Sequence, residues 1–167
     1  LPVQMSVNRS SQEFNVHHVA DEWLNMIAAA GLECEQLIFE ITENERVVDK
    51  DHLKRILEEY RRRGFKTAID DFGAGYSGLN LLAEFQPDII KLDMELVRQI
   101  DTNPVRHAIV QGILGVCKAL SIEVIAEGVE TLAEYRALRA LGIHYFQGYL
   151  FAKPAFEQLP AIHWPED

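Results

Sequence analysis

Cysteine is scarce in this chain. Two residues, Cys34 and Cys117, stand in 167, with no Cys-x-x-Cys pair. That excludes a disulfide-stapled scaffold and a thiolate zinc site, and it points to a reducing compartment, the cytoplasm. Long apolar runs are missing as well. The longest candidate, around residues 109–126, is interrupted by Gln111, Lys118 and Glu123. It falls short of the ~20 apolar residues that a membrane helix needs, and no signal peptide is visible. Positive charge is in deficit, with 16 Lys and Arg against 26 Asp and Glu, a formal charge of −10. Non-specific binding of DNA, RNA or an anionic membrane is therefore excluded as a main activity. A phosphate substrate is not, because a bound metal reverses the local field. There is no low-complexity stretch, no Pro/Ser-rich linker and no glycine-rich dinucleotide fingerprint after the first apolar run. The six histidines, His17-His18 among them, lack the helical spacing of a metalloprotease. With 48% hydrophobic and 25% charged residues, what remains is one globular domain, long enough to bury roughly 70% of its unfolded surface.

What is present is an alternation. Short apolar runs at 3–7, 37–41, 66–69, 89–92, 123–126 and 144–146 read as strands buried on both faces, with a weaker run at 149–151. Between them the spacing is helical. Val19, Trp23 and Ile27 precede Gly31 as a stop, and Leu53, Ile56, Leu57 and Tyr60 share a face that ends in Arg61-Arg62-Arg63 and Gly64. Val105, Ile109, Ile113, Val116 and Leu120 form a third stripe behind Pro104. Thr131 and Glu134 make a capping-box pattern ahead of Leu138, and Gly142 closes that helix. Strand and helix in alternation predict an α/β fold with a parallel sheet, laid out either as an open doubly wound sheet or as a (β/α)8 TIM-type barrel. The end, from Ile162 to Asp167, reads as a tail.

The chemistry gathers where the apolar runs stop. The first run leads to Asn8, the second to Glu40, Thr42 and Glu43, the third to Asp70-Asp71. The fourth holds Lys91 and Asp93, the fifth leads to Glu127, the sixth to Gln147. Taken singly, an acid after a strand is more often a helix cap or a solvated turn, and a lone strand lysine is usually snorkelling. Together they describe the rim of a barrel active site, and hard oxygen donors of this kind suit Mg²⁺ or Mn²⁺ better than zinc. The period of two sends the side chains of Asp70 and Asp71 to opposite faces, one into the barrel mouth and one toward the next loop. The stretch from Phe72 to Gly78 is glycine-rich and mobile in character, and it lacks the Lys-Ser/Thr of an ATP-binding loop.

These residues carry a resemblance. Asp70-Asp71-Phe72-Gly73-Ala74-Gly75-Tyr76-Ser77 resembles the signature loop of EAL domains, the cyclic di-GMP phosphodiesterases. Ser6-Val7-Asn8, Glu40-Ile41-Thr42-Glu43, Ile90-Lys91-Leu92-Asp93, Ala126-Glu127-Gly128-Val129-Glu130, Phe146-Gln147-Gly148-Tyr149 and Lys153-Pro154 follow in the family's order. The tail and helices also resemble enterobacterial proteins that join a blue-light-sensing flavin (BLUF) domain to an EAL domain. The resemblance implies a (β/α)8 TIM-type barrel, here incomplete and lacking the first strand and helix, with residues 1–167 forming an N-terminally truncated EAL domain that starts at the family's second strand. It implies Asn8, Glu40, Asp70, Asp71 and Glu127 as ligands of two divalent ions, Mg²⁺ or Mn²⁺, with Ca²⁺ as an inhibitory occupant. It implies Lys91, Glu127 and Gln147 as catalytic, Glu43 as the support of the loop after Asp71, and Phe72, Gly73, Gly75 and Tyr76 as a substrate and dimer loop. The partners it implies are cyclic di-GMP, a second copy docked through the 72–78 loop and helix 105–120, and a covalently linked upstream sensory domain.

The expected reaction is hydrolysis of cyclic di-GMP to linear pGpG. The alternatives are a catalytically silent EAL domain acting as a receptor or protein-interaction module, and an unrelated metal-dependent barrel enzyme. The Glu-Ala-Leu tripeptide that names the family is absent from these residues, and its glutamate is a further ligand. The fragment alone is therefore expected to bind metal weakly and turn over slowly. Ala74 and Gly78 stand where the family often has Thr and Ser.

Overall fold

A computed structural model of the chain describes residues 5–8, 19–42, 50–75 and 78–165. The elements run β1 (Met5–Asn8), α1 (Val19–Ala30), a 3-10 turn (Cys34–Gln36), β2 (Leu37–Thr42), α2 (Lys50–Arg62), β3 (Lys66–Phe72), α3 (Gly78–Phe85), β4 (Ile89–Leu92), α4 (Met94–Val97), α5 (Pro104–Leu120), β5 (Glu123–Ala126), α6 (Leu132–Ala140) and β6 (Tyr145–Phe146). All six strands are parallel and pair in the order of the sequence, β1-β2-β3-β4-β5-β6. A doubly wound sheet reverses its strand order at a switch point. This one never does, so the singly wound, barrel-type layout is the one observed.

Each strand has an inner and an outer face. On the outer side, Leu37 and Phe39 of β2 pack with Ile27 of α1 and with Ile56, Tyr60 and Phe65. The Phe39, Tyr60 and Phe65 rings meet at 4.2, 5.2 and 5.9 Å between centroids. Ile41 packs with Leu53, Leu57 and Phe85. Ile69, Ile90, Leu92 and Ala126 meet Leu82, Val110, Cys117 and Leu138 from α3, α5 and α6. The inner face begins with a small apolar layer: Ile38, Ala68 and Ile89 touch, with Ile125 against them. Two residues further along the same four strands stand Glu40, Asp70, Lys91 and Glu127. The period of two thus stacks a charged layer directly on an apolar one.

The structure corrects or completes the sequence reading at four points. The third strand does not stop at Ile69 but runs to Phe72, so Asp70 and Asp71 lie inside it. Residues 149–151 form a turn closed by the Phe151 and Ala152 N–H groups on the Gly148 carbonyl, not a seventh strand. The tail is pinned, with His163 N–H donating to the Phe151 carbonyl at 2.8 Å and Trp164 set edge-on to the Phe151 ring. Finally, the apolar stripe of α5 faces outward. Val105, Ile109, Val116 and Leu120 are 65, 45, 39 and 44% exposed, while Val110 and Cys117 are buried against the sheet. Both sides of this helix are apolar, and the buried one is the narrower. Its entry is fixed by Asn103, whose side chain accepts from the Val105 and Arg106 N–H groups ahead of Pro104. Burial pushes the Cys117 thiol up to about 11. No helix among the described residues is long and apolar enough to cross a membrane.

Candidate metal centre

The centre of the site is Lys91. Its Nζ lies 2.9 Å from Asp70 Oδ1, 2.9 Å from Glu127 Oε1 and 3.1 Å from Glu40 Oε1, so one ammonium meets carboxylates from β2, β3 and the end of β5. Glu40 and Lys91 are buried. An ammonium in the chain interior would ordinarily lose its proton. Burial does pull the Lys91 pKa down, but the bonds to Glu127 and Asp70 outweigh it and the net direction is upward. Lys91 is a fixed cation.

Asp71 reaches this group through a backbone irregularity. Ile69 pairs with Ile90 and Phe72 with Leu92, so β3 advances three residues where β4 advances two. The extra residue is a β-bulge, and Asp71 sits in the left-handed region at φ 53°. Strict alternation would have sent Asp71 to the helix side. Instead Asp70, Asp71 and Glu127 each offer an oxygen within 4.8 Å of the others. The expectation that the two aspartates point to opposite faces is therefore corrected. The bulge also returns Phe72 to the outer face, where it is 2% exposed and packs with Ile69, Leu82 and Leu92. Phe72, expected in the substrate and dimer loop, is a core residue of the strand that precedes it. Gly73 follows at φ 100°, and a Cβ there would meet the Leu96 side chain at 2.3 Å.

The remaining predicted residues divide. Asn8 ends β1 and pairs in register with Glu40, which places its backbone at the same strand end. Glu43 and Tyr76 lie outside the described residues. Asp93 takes the bland reading, since its side chain caps α4 by accepting from the Glu95 N–H at 2.8 Å. Gln147 lines a cleft of about 380 Å³ with Met94, Gly128, Glu130, Tyr149 and Lys153, next to the strand ends. A larger cleft of about 670 Å³ opens at the start of β5 and β6, beside Glu123 and His144. It lies away from the acids and at the end of the strands where parallel barrels carry no chemistry.

The loop after β5 is held on both sides. Gly128 has φ 65°, and a Cβ there would come within 2.6 Å of the Met94 Cβ. A Cβ on Gly148 would meet the backbone of Val129 at 2.1 Å, so glycine is required where the 148 turn crosses that loop. The Val129 N–H donates to the Gln147 carbonyl, and the Leu150 N–H to the Val129 carbonyl.

A divalent ion fits these donors. Every candidate ligand atom is a hard oxygen, and the buried Glu40 Oε1 has the Lys91 ammonium at 3.1 Å but no well-aligned hydrogen bond among the described residues. Four carboxylates face one ammonium. Burial, with Asp70 and Asp93 nearby, raises Asp71 above the usual carboxylate range. Burial also pushes Glu127 up to about 7, with Lys91 opposing and Asp70 adding to the shift.

The sign of the resulting pH dependence follows. A carboxyl raised in the folded state favours folding most below its unfolded value and loses that contribution as pH climbs to about 7. A metal needs the carboxylate, so its affinity moves the other way. Mn²⁺ affinity, measured by calorimetry from about pH 5 to about pH 8, is expected to rise and then level off above about 7, with release of about one proton on the rising limb. An affinity flat across that range would remove Glu127 from the ligand set.

Beside this centre, Glu134 and Arg98 make contacts that the sequence reading lacks. The capping box of Glu134 is legible from the sequence, but its contact with Gln99 is tertiary. The ion pair of Arg98 with Glu130 spans 32 residues and has no local pattern.

Known proteins place this geometry. The chain is 43% identical over 143 residues to the blue light- and temperature-regulated antirepressor BluF of Escherichia coli, covering 86% of this chain and 36% of that protein. It is 34% identical over 160 residues to the E. coli cyclic di-GMP phosphodiesterase PdeR, covering 96% of this chain and 24% of that one. The structure of Klebsiella pneumoniae BlrP1 in complex with manganese and cyclic di-GMP superimposes with a TM-score of 0.83 at 44% identity, covering 95% of this chain and 39% of BlrP1. The chain thus spans about a third or less of the curated relatives it matches. The family model described as EAL domain matches residues 1–154. With that match over nearly all its length and a buried lysine–carboxylate centre at the ends of successive parallel strands, the chain belongs to the EAL domain family.

Proposed function

We propose that the chain forms the metal-holding part of a cyclic di-GMP phosphodiesterase, which adds one water across one phosphodiester to give linear pGpG. The observation that carries this reading is the convergence of Glu40, Asp70 and Glu127 on Lys91, with Asp71 grouped beside Asp70 and Glu127. The names of PdeR and of the manganese and cyclic di-GMP complex of BlrP1 support it. Asn8, Glu40, Asp70, Asp71 and Glu127 would hold Mg²⁺ or Mn²⁺, with Ca²⁺ as an inhibitory occupant. When bound, two such ions supply Lewis-acid polarisation of a phosphate oxygen and acidify a water. Lys91, kept protonated, acts as a hydrogen-bond donor that orients the attacking water; it is not the base. Gln147, on the wall of the cleft beside the strand ends, would touch that water or the phosphate. Glu43 supports the loop after Asp71.

The outward stripe of α5 supports pairing with a second copy through that helix and the 72–78 loop. We further assign the chain to a cytoplasmic protein with an upstream sensory domain. A second reading has its own observation: BluF, 43% identical, is named an antirepressor. A silent EAL domain that grips a protein partner fits that name.

The test is incubation with cyclic di-GMP and Mg²⁺ or Mn²⁺, followed by chromatography for pGpG. This chain is run beside one extended upstream by the strand that carries Glu-Ala-Leu in the family. Formation of pGpG by the extended chain is the expected result. Binding of the nucleotide without turnover in either chain would establish the silent reading.

A further inference from the structure

Glu134 is 3% exposed, although it stands in the first turn of α6, where carboxylates are ordinarily solvated. Its two oxygens have different tasks. Oε2 accepts from the N–H groups of Glu130 and Thr131, both at 3.1 Å, while the Glu134 N–H donates to Thr131 Oγ1 at 3.2 Å. That is a capping box with one added bond, and it serves the helix. Oε1 leaves the helix. It accepts from the N–H of Gln99 at 3.0 Å, 35 residues away, in the turn after α4 where Gln99 holds φ 55°. Nothing in capping α6 requires this second contact. It clamps the turn after α4 to the loop between β5 and α6, and that loop begins with Glu127. Neighbouring groups strengthen the same seam. Arg98 pairs with Glu130, and Arg106 of α5 donates to the Arg98 carbonyl at 2.6 Å. The loop's middle is already wedged between Met94 and Gly148. Glu134 fastens its far end.

We infer that Glu134 is a positioning residue for Glu127: by tying the 127–131 loop to the turn after α4, it fixes the carboxylate that faces Lys91 and Asp70. The inference rests on the proposed reading of Glu127 as a metal ligand. Groups that orient a ligand without touching the ion typically change metal affinity about 10- to 100-fold.

The experiment compares the chain with its Glu134→Ala and Glu134→Gln variants, well below their melting temperatures. Ile56→Ala serves as a control that opens a cavity in the cluster between α1, α2 and β2. Two quantities are read: Mn²⁺ affinity by calorimetry, and amide exchange in the metal-free protein at Glu127 and Val129. Those two N–H groups donate to Leu92 and Gln147, not to Glu134. Glu134→Ala is expected to speed exchange at both amides by about tenfold and to weaken Mn²⁺ binding by about 10-fold or more. Glu134→Gln, with one acceptor oxygen instead of two, falls between. Ile56→Ala lowers the melting temperature and moves neither quantity. If Glu134→Ala speeds exchange only at Gln99, Glu130 and Thr131 and leaves Glu127, Val129 and Mn²⁺ affinity as they were, Glu134 is a cap and the inference is wrong. If the unmodified chain binds no Mn²⁺, the metal reading fails, and exchange at Glu127 and Val129 alone decides whether Glu134 positions the loop.

Discussion

Replacing Lys91 by methionine is expected to lower the melting temperature of the metal-free chain steeply and to enlarge the shift that Mn²⁺ produces. The ammonium touches three carboxylates at 2.9–3.1 Å, and its side chain is only 8% exposed. Removing one partner of a buried ion pair costs about 3–5 kcal/mol, because the other charge stays behind without compensation. Here the charges left behind are three carboxylates with Asp71 beside them, so the loss belongs at the upper end of that range. A divalent ion added to the variant meets the full negative charge with no ammonium to compete, and an affinity gain of about tenfold or more is expected. An ion at a hundred times its dissociation constant stabilises the fold by about 2.7 kcal/mol, enough to recover about half of the loss. Turnover nevertheless falls by about 10²–10³, since the donor proposed for the attacking water is gone. Thermal melts with chelator and with Mn²⁺ decide the matter. Equal melting temperatures in chelator would show that Lys91 does not neutralise the acids, and an unchanged Mn²⁺ shift would show that the ion binds elsewhere.

Asp71→Asn is the second large effect, and it separates backbone from charge. Asparagine tolerates φ 53° about as well as aspartate, so the bulge survives. What disappears is a carboxylate whose pKa burial and the charges of Asp70 and Asp93 raise. The metal-free chain is expected to melt about 2–4 °C higher, the equivalent of about 1 kcal/mol in a domain of this size. Mn²⁺ affinity falls by about 10- to 100-fold and turnover with it. Asp71→Val behaves differently: a β-branched residue cannot occupy that φ without strain of about 1–3 kcal/mol, so stability and affinity fall together. Should Asp71→Asn leave Mn²⁺ binding intact, Asp71 would be a bulge residue and not a ligand.

Much of this centre can be read in the linear chain because strands obey a short period. Ile38 and Glu40, Ala68 and Asp70, Ile89 and Lys91, Ile125 and Glu127 are each two apart, so an apolar layer and a charged layer follow from alternation alone. The alternation of strands and helices left the strand order open between a doubly wound sheet and a barrel; the consecutive order was implied by the family resemblance and is seen in the strand pairing. The orientation of Asp71 did not follow, because a register shift is a property of two strands together and β3 alone contains no sign of it. The stripe on α5 was visible but its partner was not. A helix apolar on both sides does not say which side meets the sheet, and Val110 and Cys117 proved the buried pair. Glu134 showed its cap, a contact three residues long, and concealed its bond to Gln99, which depends on where α4 ends in space.

The burial of Cys117 provides a built-in clock. The thiol is 1% exposed, on the face of α5 that lies against the sheet, and its pKa is pushed up to about 11. A thiol reagent reaches it when the packing of α5 against the sheet loosens beside the cleft at the start of β5 and β6, which Cys117 also lines, whereas the half-buried Cys34 gives an early reference. When reclosing is fast relative to alkylation, the labelling rate at Cys117 reports the equilibrium population of that open form. A second copy seated on the outward stripe would press the helix down and slow the reaction in proportion to protein concentration. The same cysteine that contributes nothing to the chemistry can thus time the motion of the helix proposed to carry the dimer.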